Sequence, residues 1–216
     1  MAKLSDLIPT IAKVLPMPEQ TVAIYARLLR QARLLSTSGR GPGGANMTPE
    51  DCARLLIAMM ATDQVKDAVT ALEKFWSLPI ETKHTREDIP KRERGEWVSL
   101  PKGLALLAEA TSFGQTVASL IASARDGTLQ SGLGHATLPF LRLEIERRFN
   151  TASMSLMASA DGLLPDKSVL ITRFAPPKNL LQKLIDEQPF SMGGDAMVSF
   201  AVSQNTVLAL GELIRE

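Results

Sequence analysis

The chain has 216 residues, 45% of them apolar and 22% charged, with a formal net charge of +1. That composition excludes disorder as the main state and supplies a real core, in one large domain or two small ones. The near-zero charge excludes bulk charge as a source of nucleic-acid affinity, so any basic surface has to come from local clustering.

No apolar stretch reaches the roughly 18 residues that a membrane helix requires, because Lys, Arg, Asp or Glu interrupts each one. The opening MAKLSDLIPTIAKVL lacks the basic start, long apolar core and small-residue cleavage site of a secretory leader. A cytoplasmic protein with no membrane partner is expected. A single cysteine, Cys52, excludes an internal disulfide and a cysteine zinc site and fits a reducing compartment.

Ser5 is placed to cap a first helix carrying Leu7, Ile8, Ile11 and Val14. Pro16 and Pro18 break it, and Pro18 opens a second helix that runs to about Leu35. With residues stepped at about 100°, Val22, Tyr25, Leu28, Leu29, Ala32 and Leu35 fall on one arc, with Ala26 and Ile24 at its edges. Glu19, Gln20, Ala23, Arg27, Arg30 and Gln31 fall on the other, which Leu34 shares. By angle Arg33 lies inward and is expected to snorkel at the domain edge or pair with an acid. The loop Ser36-Thr37-Ser38-Gly39-Arg40-Gly41-Pro42-Gly43-Gly44 has almost no side chain to bury. Through residue 47 the bases Lys3, Lys13, Arg27, Arg30, Arg33 and Arg40 face only the acids Asp6 and Glu19.

Thr48-Pro49-Glu50-Asp51 combines an N-cap, a helix-opening proline and first-turn acids, and Leu55, Leu56, Met59 and Met60 follow as the inward face. Val65, Ala68, Val69, Leu72, Phe75 and Trp76 continue at helical spacing to about Pro79. Residues 81–99, ETKHTREDIPKRERGEWVS, are dense in both signs of charge and read as a linker between a domain at 1–80 and one at 100–216. Beyond Pro101, Leu104, Leu107, Ala108, Val117, Leu120 and Ile121 make a long helix or a broken pair, with Gly114 as the break and Asp126-Gly127 as the end.

GTLQSGLGHATLP reads as a glycine-rich loop. Leu141, Leu143 and Ile145 then alternate with Arg142, Glu144 and Glu146, the two-residue period of a half-buried strand. Asn150-Thr151 turns the chain into a second strand through Met154 and Leu156, and residues 168–174 read as a third. A helix carrying Leu180, Leu181, Leu184 and Ile185 follows Pro176-Pro177. The apolar run from Val198 to Val202 precedes a last helix, capped by Ser203 and carrying Val207, whose Leu208, Leu210, Leu213 and Ile214 suit packing against a second chain. The expected fold is therefore α+β, an N-terminal all-helical helix-turn-helix-like domain followed by an α+β domain with a short antiparallel sheet.

In a helix-turn-helix a first helix braces a second that lies in the major groove, so the second must be polar outside and apolar inside. Gln20, Ala23 and Arg27 lie nearest the end that meets base edges. Arginine pairs with guanine and glutamine with adenine, each contributing about 1–3 kcal/mol of discrimination. Arg30 is expected on phosphate, Thr21 on backbone phosphate from the first turn, and Arg40 in a wing.

The spacing A-x-x-L-x-x-x-x-x-T-V-x-x-Y-x-R-x-L, carried by Ala12, Leu15, Thr21, Val22, Tyr25, Arg27 and Leu29 and running into Leu34-Leu35, resembles the winged helix-turn-helix regulators at superfamily level. The stretch is also similar to small phage or mobile-element regulators. The resemblance implies double-stranded DNA as partner and transcription regulation as function. One small helix-turn-helix binds weakly, so a homodimer reading two half-sites is expected. The C-terminal part would serve dimerisation, a protein partner or a ligand. The alternative is a protein-interaction factor that binds no DNA, an antiactivator or phage accessory protein using the same helical surface.

Other constellations carry less. His84 and His135 fall in expected loops without acidic or cysteine partners at a ligand spacing. Cys52 reads as a small core residue, although it lies in the first turn of a helix. Gly132-Leu133-Gly134 and Gly193-Gly194-Asp195 are too short for a phosphate loop, and Lys91, Arg92 and Arg94 are interleaved with acids. No cofactor, metal or enzymatic chemistry is expected.

Overall fold

A computed structural model describes residues 2–37, 45–85, 109–133, 140–157, 168–187 and 199–215. Helix α1 spans Leu4–Val14 and starts one residue before Ser5. Lys3 holds the cap position, with the Asp6 carboxylate accepting from the Lys3 amide at 2.8 Å. Helix α2 spans Glu19–Gln31, with Pro18 as its N-cap. It stops four residues short of Leu35. Arg33 adopts φ 59°, and the Leu34 amide donates to the Leu29 carbonyl at 2.9 Å, a six-to-one closure that satisfies a terminal carbonyl. Arg33 and Leu34 therefore leave the helical projection. Arg33 is exposed, and Leu34 turns back onto the core.

Helix α3, Pro49–Ala61, is opened by Thr48 as expected. The Thr48 hydroxyl accepts from the Asp51 amide at 3.1 Å, and the Asp51 carboxylate accepts from the Thr48 amide at 2.9 Å. A cap of this kind contributes about 1 kcal/mol. Ten of the helix's 13 residues are buried, more than the single inward face expected, because α3 runs through the centre of the molecule. A 3-10 turn, Val65–Asp67, leads into α4, Ala68–Trp76.

The expected linker opens as a strand instead. Ile80–Thr85 is β1, so His84 lies on a strand, while Lys91, Arg92, Arg94 and His135 lie outside the described residues. Helix α5, Phe113–Arg125, begins at Ser112, whose hydroxyl accepts from the Gln115 amide. Gly114 does not break a helix. It lies in the first turn of α5, where an added Cβ would stand 2.2 Å from Trp76 Cδ2, so glycine serves close packing against the indole. Part of the expected glycine-rich loop is helical, α6 at Thr128–Leu133, which includes Gly132. Residues 193–195 lie outside the described residues.

Three strands follow near the expected bounds: β2, Phe140–Glu146, β3, Thr151–Met157, and β4, Ser168–Phe174. Helix α7, Lys178–Glu187, strand β5, Ser199–Ser203, and helix α8, Gln204–Leu213, complete the described chain. The strands form one five-stranded antiparallel sheet in the order β1-β4-β3-β2-β5. Leu143, Met154 and Val202 share a register row on its buried face, which receives Phe113 of α5 edge-on to Phe174, ring centres 5.2 Å apart. The protein is thus α+β with a helical N-terminus.

The core does not divide at residue 80. Helix α1 packs on α8, α3 on α5, and α5 on α8, and Leu7, Leu56, Leu120, Met154 and Leu210 belong to one hydrophobic cluster. Helix α8 therefore spends its apolar face inside its own chain, with Leu210 and Ile214 buried and Leu208 and Leu213 packed against the cluster. That corrects the expectation that this face meets a second chain. Among the described residues no helix is long and apolar enough to cross a membrane.

Candidate nucleic-acid interface

The turn Leu15–Pro18 joins α1 to α2 in four residues, with the Met17 amide donating to the Ala12 carbonyl at 3.0 Å. Helix α2 buries Val22, Tyr25, Ala26 and Leu29. It exposes Glu19, Gln20, Ile24, Arg27, Arg30 and Gln31. Gln20, Arg27 and Arg30 thus share the outward face, as their angles require. Among the described residues, no ion pair involves Arg27 or Arg30. Ala23, expected on the outward arc, is only half-buried, as is Thr21, and Arg40 lies outside the described residues.

Leu4 and Ile8 of α1 and Ala23 and Ala26 of α2, with Arg27, Arg30, Gln31 and Thr37, line a groove of about 400 Å³. Ile24, expected at the edge of the apolar arc, is 40% exposed: two residues on from Val22 it stands about 160° round the helix, on the outward side with Gln20 and Gln31.

Three side chains hold α2 in place. The Tyr25 hydroxyl donates to the Thr62 carbonyl at 2.7 Å, just beyond the end of α3. Burial pushes the Tyr25 phenol above its ordinary value, the Asp63 carboxylate pushes it further, and Arg147 partly opposes both. Arg54 donates to the Leu34 carbonyl at 3.0 Å, pairs with Glu50 at 3.2 Å, and lies 4.9 Å from the Trp76 ring centre. Buried Asp51 accepts from the Ser36 amide at 2.8 Å, so the residue that caps α3 also fixes the chain leaving α2. The sequence announced Asp51 as a capping acid; its bond to Ser36 depends on how two helices meet.

From the sheet, Arg147 in the β2–β3 turn donates to the Met60 carbonyl at 2.9 Å and to Asp63 at 2.5 Å. Glu146 holds that turn by accepting from the amides of Arg148 and Phe149, each at 2.9 Å. Residues 60–63 are therefore gripped from α2 by Tyr25 and from the sheet by Arg147.

Cys52 is fully buried, and burial first, then Asp51, pushes its thiol up to about 12. It is a core residue. Among the described residues no group of three His, Cys, Asp or Glu could hold a metal ion. Comparison with family models, curated proteins and solved structures finds no match for this chain.

Proposed function

We propose that the protein is a non-catalytic, sequence-specific DNA-binding regulator that lays the outward face of α2 against the duplex. The observation that carries this reading is the side-by-side exposure of Gln20, Arg27 and Arg30 without an ion pair to Arg27 or Arg30 among the described residues. An arginine already neutralised by a carboxylate would release no counterion from DNA; these two would. Gln20 and Arg27 take base edges, with Ile24 beside them for apolar contact with thymine methyl groups. Arg30, Thr21 and Arg40 take phosphate, Arg40 from a wing, and Ala23 allows α1 to brace the helix. A homodimer would present two such helices to half-sites about one helical turn apart.

The test enriches genomic fragments on the full-length protein, then follows binding of the recovered duplex across salt. Neutralising three phosphates with Arg27, Arg30 and Arg40 gives a log–log slope of about −2.7 per protomer, or about 40-fold weaker binding between roughly 50 and 200 mM salt. Arg27→Ala should relax sequence preference. Arg30→Ala and Arg40→Ala should weaken binding to all sequences and flatten the slope by about 0.9 each. If none of the three changes binding, the reading fails.

The groove between α1 and α2 favours a second reading, a protein-interaction factor of the antiactivator or phage-accessory kind. Its apolar floor of Leu4, Ile8, Ala23 and Ala26 between two arginines suits an apolar segment of a partner with acidic flanks. Burial-driven binding of that kind keeps its affinity over the same salt range.

A further inference from the structure

The groove between α1 and α2 has two unlike ends. Ala23, Ala26, Arg27 and Arg30 recur at helical spacing and form a single stripe along α2. The earlier half of the stripe is alanine, and Leu4 and Ile8, neighbours one turn apart on α1, complete an apolar floor there. Both pack on the core and are only half-buried, so each keeps part of its side chain for the groove.

The later half is built of donors. Arg27 and Arg30 line it together with the Gln31 carboxamide and the Thr37 hydroxyl, and all four side chains are exposed. Among the described residues none of these side chains has a hydrogen bond or an ion pair. The acids of the two helices are placed elsewhere. Asp6 accepts from the Lys3 amide at 2.8 Å at the start of α1, and Glu19 lies in the first turn of α2, at the opposite end from Arg30. Residues 38–44, which follow Thr37 in the chain, add Arg40 and no acid. Two guanidiniums three residues apart offer planar forks matched to a carboxylate or a phosphate. They are also the side chains that the DNA-binding reading sends to a base edge and to phosphate, so a ligand that holds them removes both contacts.

We propose that this groove binds a small anionic amphiphile, its oxyanion held by Arg27 and Arg30 and its apolar body on Leu4, Ile8, Ala23 and Ala26, and that this ligand and the duplex exclude each other. The volume of about 400 Å³ lies within the range of small-molecule sites, about 300–1,000 Å³, and holds a chain of about eight carbons with its head. The exclusion rests on the DNA-binding reading; the ligand site does not.

Isothermal titration of the full-length protein with octyl phosphate, below its micelle concentration, should give saturable one-to-one binding. Arg27→Gln with Arg30→Gln removes both charges and keeps polar side chains. It should weaken octyl phosphate at least about tenfold, as expected for lost charge-assisted hydrogen bonds, and leave 1-octanol within about twofold. Ala23→Glu, at a half-buried position on the helix surface, should weaken both ligands by filling the apolar floor. Inorganic phosphate, which has no body to bury, and octyltrimethylammonium, which has the wrong charge, should each bind at least about tenfold less tightly than octyl phosphate. In a duplex titration, octyl phosphate should raise the apparent Kd for DNA in proportion to its occupancy, and inorganic phosphate at equal ionic strength should not. No saturable binding, equal binding of the cationic amphiphile, or an unchanged affinity in the double variant overturns the ligand site. Duplex binding undisturbed at saturating octyl phosphate overturns the exclusion. A protein that binds octyl phosphate and no duplex retains the site and refutes the DNA-binding reading instead.

Discussion

Gly211→Ala is the sharpest stability test of how α8 crosses α5. An alanine Cβ at this position would lie 2.4 Å from Ala124 Cβ, 2.6 Å from the Arg125 nitrogen and 2.7 Å from the Ala124 carbonyl carbon. Carbon atoms sit at about 3.5–4.0 Å in normal contact, so α8 would have to retreat by about an ångström. Two of the three atoms are backbone, which cannot rotate away, and α8 is also packed on α1. Overpacking costs about 1–3 kcal/mol, and the upper half of that range applies to a helix–helix contact with no flexible neighbour. Alanine regains about 0.8–1 kcal/mol of helix propensity. The expected balance is a loss of about 1–2 kcal/mol, or a Tm lower by about 2–8 °C for a chain of this size. Urea unfolding followed by tryptophan fluorescence, with the exposed neighbour Glu212→Ala as a control expected within about 0.5 kcal/mol, measures it. A Gly211→Ala protein as stable as wild type would show that α8 does not cross α5 this closely.

Tyr25 is the only tyrosine, so absorbance at 295 nm reads its ionisation directly; the midpoint should lie above the ordinary value of 10.0. Because the folded value is the raised one, Tyr25 favours the fold below pH 10 and that contribution is lost as pH rises through the folded value. Wild type should therefore lose stability faster than Tyr25→Phe above pH 10, and a midpoint at or below 10 would contradict the buried bond to Thr62. The thiol of Cys52 should be inert to Ellman's reagent at pH 8 in the folded protein and react stoichiometrically in guanidinium chloride; rapid native reaction would place it at the surface. Arg147→Met should destabilise by about 1–2 kcal/mol by removing the hydrogen bond to the Met60 carbonyl. Asp63, 76% exposed, stays solvated and adds little, so Arg147→Met and Asp63→Asn should differ clearly in urea midpoint.

Much of this fold is legible in the sequence where the governing physics is local. The alternation of Leu141, Leu143 and Ile145 with charge specified β2, and Thr48-Pro49-Glu50-Asp51 specified the start of α3. Strand β1 was hidden because ETKHT carries little apolar patterning, and its pairing with β4 supplies order that its own residues do not. The end of α2 was misplaced because helical angles continue to Leu35 on paper, while Arg33 in the left-handed region closes the helix without the glycine that usually marks such an end. Gly114 looked like a helix break, and only the approach of Trp76 gives it its role, as the approach of Ala124 does for Gly211. Gln20, Arg27 and Arg30 could be placed outward from periodicity alone. The grip of Tyr25 and Arg147 on residues 60–63 could not, because those contacts span 37 and 87 positions.

The sharing of the core decides how the N-terminal helices can be studied. A helix-turn-helix built as its own unit would fold from residues 1–80, and the linker-like composition of residues 81–99 invites that division. Yet α3 is buried nearly all round, and the helices that cover it include α5. Helix α1 leans on α8. Cutting after residue 80 would expose those faces together, leaving more contiguous apolar surface than a soluble monomer carries. The 1–80 fragment is therefore expected to aggregate or to unfold without cooperativity, as read by sedimentation and urea-dependent circular dichroism. A monomeric fragment with a cooperative transition would refute the shared core. If the fragment fails to fold, the absence of DNA binding by it carries no weight, and the outward face of α2 has to be tested in the full-length protein.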